Sequence, residues 1–363
     1  MSYSRQSSYG KDEGGGALSN IPHDEERRKV QFTGGSTFIV SLPKKWIAQN
    51  QLKRGSFLKV RQEEDGLLVM APAELKTPER KIDEASILVA PEDSTESLAR
   101  KAVSAYLAGY NSILMKGSQD KITAKQRHEI KAFVRRMFVG TEIVTDSPSE
   151  LRLQVLLSYP DLTVQSAIRR MSIIAASMHR DSLKSVKTRD DALSKEVLSA
   201  DNEVDRFYLY VVRQLKSVSL RAQLTRIGIT KGKFFLGYYL VTKSIERTAD
   251  HAVKIAEKSQ SLKHDLSDEV MGIIDKMSNR AISMFETAVE SLFRQDYYLA
   301  ESIVVQVQEV ITLEKEAVSF SSLREGEDAA VVRLIIESIR RTAEYASDIA
   351  ETVLNLTVES ILA

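Results

Sequence analysis

Acidic residues recur at helical spacing in two places, and that spacing is the strongest chemical signal in the chain. Glu246 and Asp250 are four apart with Glu257 beyond them, and Asp201 and Asp205 are four apart upstream. At about 100° per residue, Glu246, Asp250 and Glu257 fall within a stripe about 40° wide, so three carboxylates crowd one edge of a helix. Like charges four residues apart repel by some tenths of a kcal/mol, and the crowding calls for counter-charge. Two readings are open. A hard or borderline cation bridging the helices turns repulsion into coordination, or Glu246 and Asp250 form ion pairs with Arg247, Arg213 or other neighbours. His251, beside Asp250, is either a further ligand or a hydrogen-bonded structural histidine. The chain has no cysteine, which excludes disulfides and leaves only oxygen and histidine to ligate a metal.

The elements that carry these acids repeat. Ser244-Ile245-Glu246-Arg247-Thr248-Ala249-Asp250-His251-Ala252-Val253-Lys254-Ile255-Ala256-Glu257 returns 94 residues later as Ser338-Ile339-Arg340-Arg341-Thr342-Ala343-Glu344-Tyr345-Ala346-Ser347-Asp348-Ile349-Ala350-Glu351. Upstream, Met171-Ser172, Ala175, Ser177-Met178 and Glu203-Val204 return at an offset of 106. The second copy is therefore 12 residues shorter (106 − 94), and the deletion falls between its second and third helices, where a loop absorbs it. Each copy reads as three long helices, roughly 162–188, 191–219 and 230–262, then 266–295, 297–322 and 327–361. Asp161, the stretch 228–232, Asp265 to Asp268 and Arg324-Glu325-Gly326 supply caps and turns between them. A tandem three-helix bundle follows.

The phrase Ile245 to Glu257, repeated in this architecture, resembles the third-helix motif of the PhoU phosphate-signalling family. The resemblance spans Asp161 to the C-terminus. It implies that Glu246 and Asp250 are metal ligands, with Asp201 and Asp205 as secondary candidates, for a divalent or iron-type ion in repeat 1. The second copy departs from the pattern. Arg340 replaces the first acid and can pair with Glu344, while Val307 and Ile311 stand at the places of Asp201 and Asp205, so at most one intact site is expected.

The net charge of +1 hides a basic module: from Arg27 through Gln62 there are nine basic residues and no acidic one. Its strand-like runs are 29–32 and 37–42, then a short helix at 44–51 after Pro43, and a hairpin of 57–61 and 67–70 turned at Glu64-Asp65-Gly66. About 50 residues of this kind bury too little for a stable monomer. Arg28-Lys29-Val30, Leu42-Pro43-Lys44-Lys45-Trp46 and Leu52 to Val60 resemble the SpoVT/AbrB family of swapped-hairpin DNA-binding domains, in which two chains interleave into one barrel. Gly35-Ser36-Thr37-Phe38 lacks the arginine that family carries after its glycine. The resemblance implies a homodimer that binds double-stranded DNA. Arg27, Arg28, Lys29, Lys44, Lys45, Lys53 and Arg54 are the candidate backbone contacts, which give salt-dependent affinity with little sequence information. The bland alternative is a solvated rim on a module that only dimerises. Trp46 is read as core rather than base-stacking.

Residues 82–158 alternate strands (87–90, 112–115, 141–144, 151–157) with helices (94–107, 123–138), an α/β connector with no recognisable chemistry. Asp93 or Ser94 can cap the first helix, and Gly109 and Gly140 can end the two. Enzymatic readings lack parts: there is no Glu-x-x-His, no Walker spacing at 228–233 and no Gly-x-Ser-x-Gly. No apolar run is long enough to span a bilayer, no signal peptide is evident, and a cytoplasmic location is expected. The expected architecture is multidomain. A disordered tail (1–22) precedes a small β-rich swapped-hairpin barrel (23–76), a short α/β connector (77–160) and all-α tandem three-helix bundles (161–264 and 265–363). The function implied is a transcriptional regulator of phosphate uptake, or an adaptor that binds a phosphate transporter or its signalling partner without binding DNA.

Overall fold

A computed structural model describes residues 27–35, 37–62, 66–73, 84–156, 162–216, 232, 234–324 and 326–362, with the side chains of 323 and 324 excepted. The expected tail, Glu64-Asp65, Asp161 and most of the stretch 228–233 lie outside the described residues. The chain divides into two compact units, Met1–Lys81 and Ile82–Ala363.

In the first unit, β1 (Gln31–Thr33) and β2 (Thr37–Ile39) form an antiparallel hairpin with Phe32 opposite Phe38. Gly34 and Gly35 turn it with φ of +64° and +82°, values that cost a glycine nothing. Pro43 precedes helix α1 (Lys44–Gln49), and β3 (Leu58–Gln62) pairs antiparallel with β4 (Leu68–Pro72). Gly66, at φ +82°, supplies the left-handed half of the expected Asp-Gly turn. Among the described residues the two hairpins stay separate sheets and do not close a barrel. Their apolar side chains are open, Phe38 being 72% and Phe57 82% exposed. That is the shortage of core anticipated for one copy of this module.

The second unit begins with a four-stranded sheet in the order β5-β6-β8-β7, built from β5 (Glu84–Val89), β6 (Ser112–Gly117), β7 (Thr141–Asp146) and β8 (Glu150–Val155). The β5–β6 pair is parallel and the rest antiparallel. Helices α2 (Thr95–Leu107) and α3 (Ala124–Met137) cover one face. Ser94 caps α2, Thr123 and Gln126 form a capping box on α3, and Gly109 and Gly140 follow the helices at positive φ.

The helical region follows the expected plan. The first repeat is α4 (Val164–Thr188), α5 (Asp191–Lys216) and α6 (Phe234–Ser259). In the second, α7 (Asp268–Arg294) is followed by a broken helix, α8 (Tyr297–Val304) and α9 (Val307–Arg324), then α10 (Ala329–Thr357). The single helix expected over 297–322 is therefore interrupted. Gln306 N–H donates to Ile303 and Glu309 N–H to Gln306, three-residue turns in place of four, where Ile303, Val304, Val305 and Val307 crowd β-branched side chains that fit a helix poorly. The copies match in detail elsewhere: Arg189 and Gln295, 106 apart, both end a first helix in the left-handed region at φ +54°.

The repeats do not form separate bundles but share one hydrophobic core. Helix α10 packs against both α7 and α6, and α4 against α7 as well as its own partners. At Gly237 the third helices come so close that a Cβ would lie 2.6 Å from Leu356. Between repeats, Asp328 accepts from the backbone N–H groups of Lys263 and His264 at 2.9 Å each. Arg189 donates to the carbonyls of Leu262 and His264.

The connector is anchored on α5. Arg213, buried, donates to the carbonyl of Tyr106, to the carbonyl of Gly109 at 3.1 Å and to Asn111 Oδ1 at 3.1 Å, with its guanidinium 4.7 Å from the Tyr106 ring centroid. Arg213→Met, which keeps most of the stem but strands those acceptors, is expected to cost about 2 kcal/mol, read as a lower midpoint in urea denaturation. A change below a few tenths would mean that water replaces the guanidinium.

Candidate functional site

Helices α5 and α6 bring the four predicted acids together. The Asp201 carboxyl is pushed up to about 7 by burial and then by Asp205, Asp250 and Glu246. Asp205 is pushed up to about 6 by burial, Glu246 and Asp250, against the opposing charge of Lys243. Asp250 is raised by burial and by Glu246. Each of the three aspartates is thus part-desolvated and within electrostatic reach of other acids, which disfavours its ionisation. Asp201 Oδ1 is buried without a hydrogen-bond partner. Glu257, on the same stripe, is exposed.

Sequence reasoning missed Lys243, one turn before Glu246. Its Nζ lies 2.7 and 2.6 Å from the two Glu246 carboxylate oxygens and 5.0 Å from the Tyr208 ring on α5. The three-residue spacing from Glu246 is the signal that gives it away. Of the ion pairs considered, Arg213 is committed to the connector, and Arg247 stands 5.8 Å from the Tyr345 ring. The expectation of a hydrogen-bonded His251 finds no support at Nδ1, which is buried without a partner. Its ring lies 5.7 Å from Tyr345, and its pKa is pushed down to about 4 by burial and by Lys254, Arg341 and Arg340.

Oxygen-only donors, crowded carboxylates and one orphaned oxygen suit a hard cation such as Mg²⁺ or Mn²⁺, or iron. Asp201, Asp205, Glu246 and Asp250 would hold it. As the side chains stand, no three His, Asp or Glu among the described residues are grouped to hold one metal ion. The second repeat has lost the cluster. Arg340 donates to Glu314 at 2.9 Å and pairs with Glu344, which Arg341 also holds at 2.9 Å. An open cleft of about 750 Å³ lies beside them, lined by Arg247, Val307, Glu344 and Tyr345 among others.

In the first unit, Arg27, Arg28 and Lys29 precede β1, Lys44 and Lys45 open α1, and Lys53 and Arg54 lie in the turn before β3; all seven are exposed. Trp46, expected in the core, is only half-buried and lines a groove with Leu42, Pro43, Leu68 and Met70.

A tandem helical repeat behind a small basic β module defines a two-part architecture, and comparison with known proteins finds a family match within each part. Residues 168–259 and 274–353 match the PhoU domain, and residues 31–80 match MazE, the antidote-toxin recognition family of bacterial antitoxins. The chain carries a tandem PhoU domain behind an N-terminal MazE/AbrB-like antitoxin-type domain. It is 21% identical over 198 residues to the phosphate-specific transport system accessory protein PhoU homolog 1 of Thermotoga maritima, which covers 53% of this chain and 84% of that one. Among solved structures it is similar to PhoU from Pseudomonas aeruginosa (18% identity, TM-score 0.47, 54% of this chain and 96% of that one). It is also similar to the phosphate transport system regulatory protein PhoU from Streptococcus pneumoniae (14% identity, TM-score 0.48, 55% and 96%). No helix among the described residues is long and apolar enough to cross a membrane.

Proposed function

We propose that the protein is a dimeric, cytoplasmic, DNA-binding transcription regulator of phosphate uptake, with no catalytic activity of its own. The observation that carries this reading is the union, on one chain, of a tandem PhoU domain and a module whose stretch Arg27 to Gln62 holds nine basic residues and no acidic one. A second chain would cover the open apolar faces of the two hairpins and double the cationic set, placing it along a duplex. The helical repeats would sense phosphate status through the acidic cluster of repeat 1 with its metal, a phosphate-related ligand or a partner protein, and alter how the basic module is presented.

The alternative, an adaptor that binds a phosphate transporter or its signalling partner, draws support from the Thermotoga relative, whose name places it with a phosphate-specific transport system. Selection of bound fragments from the organism's sheared DNA, with the full chain at two salt concentrations, separates the two. Enrichment of discrete promoters, above all beside phosphate-transport genes, is the expected result. Uniform weak binding or none would leave the adaptor.

A further inference from the structure

The sheet of the connector has two edge strands, β5 and β7, and the chain guards only one of them. Along β7 the pairing with β8 shifts between Ile143 and Thr145, and Asp146 at its end is held by Arg127 at 2.7 Å and Lys131 at 2.6 Å, both on α3. A bulge and fixed charges keep an edge from pairing with a further strand. Strand β5, Glu84-Ala85-Ser86-Ile87-Leu88-Val89, has neither lysine nor proline, and its register with β6 runs unbroken from Glu84 opposite Ser112 to Val89 opposite Gly117. Its one charged side chain, Glu84, is turned across the sheet, where it accepts from Ser112 Oγ at 3.0 Å and pairs with Arg152 on β8.

The direction of the β5 backbone follows from one bond. The Val89 carbonyl accepts from the N–H of Ser118 at 2.9 Å, just past β6, so Val89 aims its polar groups into the sheet. Alternation along the strand turns Ala85 and Ile87 the same way and sends the N–H and C=O groups of Glu84, Ser86 and Leu88 outward. The next outward donor, the N–H of Ala90, is already taken by Asp93 Oδ2 at 2.9 Å. Ser86 and Leu88 are exposed, Leu88 at 63%.

We propose that β5 is a contact between two copies of this chain, in which the β5 strands pair antiparallel about Ser86 and join the two connector sheets into one. The dimer proposed above rests on the first unit; this contact lies in the second unit and does not require DNA binding. Self-pairing suits the strand. With Ser86 opposite the partner's Ser86, Glu84 falls opposite the partner's Leu88, so outward groups meet outward groups and each pair exchanges two N–H···O bonds. No like charges stand opposite one another, and Glu84 already has its counter-charge in Arg152. Residues directly opposite in a ladder share a face, so this register also keeps α2 and α3 of both copies on one side of the joined sheet. The contact is isologous and closes as a dimer, while the guarded β7 edges end the sheet on either side.

The chain has no cysteine, so an introduced thiol is unambiguous. Cα atoms opposite each other in a hydrogen-bonded antiparallel pair are about 5.5 Å apart, a span that a disulfide bridges. Full-length Ser86→Cys is oxidised mildly beside Val144→Cys, which puts an exposed thiol on β7 instead, and covalent dimer is read on a non-reducing gel. Ser86→Cys is expected to cross-link at least about tenfold faster, because paired strands hold the two thiols at high effective concentration. Equal rates, or no cross-link through Ser86→Cys, would overturn the contact.

Ser86→Pro gives a second reading. The N–H of Ser86 points away from β6, so the variant keeps the β5–β6 ladder but has no donor for a partner strand. Sedimentation of the full chain should show its dimer dissociation constant raised at least about tenfold, and an unchanged constant would count against the contact. Should Ser86→Pro fail to fold, Leu88→Lys, which plants a charge on the edge, is judged by the same outcomes. A wild-type chain that sediments as a monomer would remove this contact together with the dimer proposed above. A dimer that persists while Ser86→Cys stays unlinked would remove only this one.

Discussion

Affinity of the full chain for duplex DNA is expected to fall by at least about 10³-fold between 50 and 200 mM salt. That is the loss when six or more phosphates are neutralised and their counterions released. Each chain exposes seven candidate cations in the first unit, in three clusters: before β1, at the start of α1 and in the turn before β3. A dimer presents them twice. Replacing Lys44, Lys45, Lys53 and Arg54 together with glutamine removes four charges per chain and should flatten the log–log salt slope by about 3 to 4 per chain. Fluorescence anisotropy across a salt series gives both quantities, and light scattering on the same samples reports whether the dimer survives. Unchanged binding in the quadruple variant would take the interface away from these residues. Loss of binding together with loss of the dimer would assign them to the chain–chain contact instead.

Acidification should weaken the helical region through two histidines with lowered pKa values, His251 and the more deeply buried His179. His179 on α4 is fully buried at the seam between repeats, 2.9 Å from Ser278 Oγ through Nε2 and 3.4 Å from Thr342 Oγ1 through Nδ1. Burial, and then the charge of Arg180, pushes its pKa down to about 4 from an ordinary 6.5. Between those values the unfolded chain binds a proton that the folded one refuses. Stability is therefore complete above pH 6.5 and declines as pH falls toward 4, by up to about 3 kcal/mol. Asp201 and Asp205, with raised pKa values, act in the opposite sense, so the diagnostic quantity is a difference. The fall in melting temperature from pH 7.5 to 5 should be smaller in His179→Gln, which keeps polar atoms but cannot charge. Equal falls in the two proteins would show that His179 stays neutral or finds water.

How much of this was legible in the sequence depends on how local each cause is. Helix ends were close because apolar spacing and caps such as Ser94 and Thr123 act within a turn or two. That Asp201 and Asp205 lie within electrostatic reach of Glu246 and Asp250 was legible because the repeat fixed which helices pack together. The break at Val305 escaped, since apolar spacing continues across it and only the β-branched crowding records it. Lys243 escaped because it lies outside the acidic phrase. Arg213 binds the carbonyls of Tyr106 and Gly109, more than a hundred residues away, and no periodicity connects such positions. The hairpin module was legible in its elements, while the barrel expected of it is not closed by the described strands of one chain.

Sharing of a single core by both repeats has a consequence for folding order. A three-helix unit with its own core folds as soon as it leaves the ribosome. Here α10, the last helix made, packs against α6 as well as α7, and His179 of the first repeat meets its partners only on α7 and α10. The first repeat therefore emerges with an apolar flank that α7 and α10 cover only later. An uncovered apolar flank of this kind is the surface that aggregation, chaperones and proteases act on before the second repeat arrives.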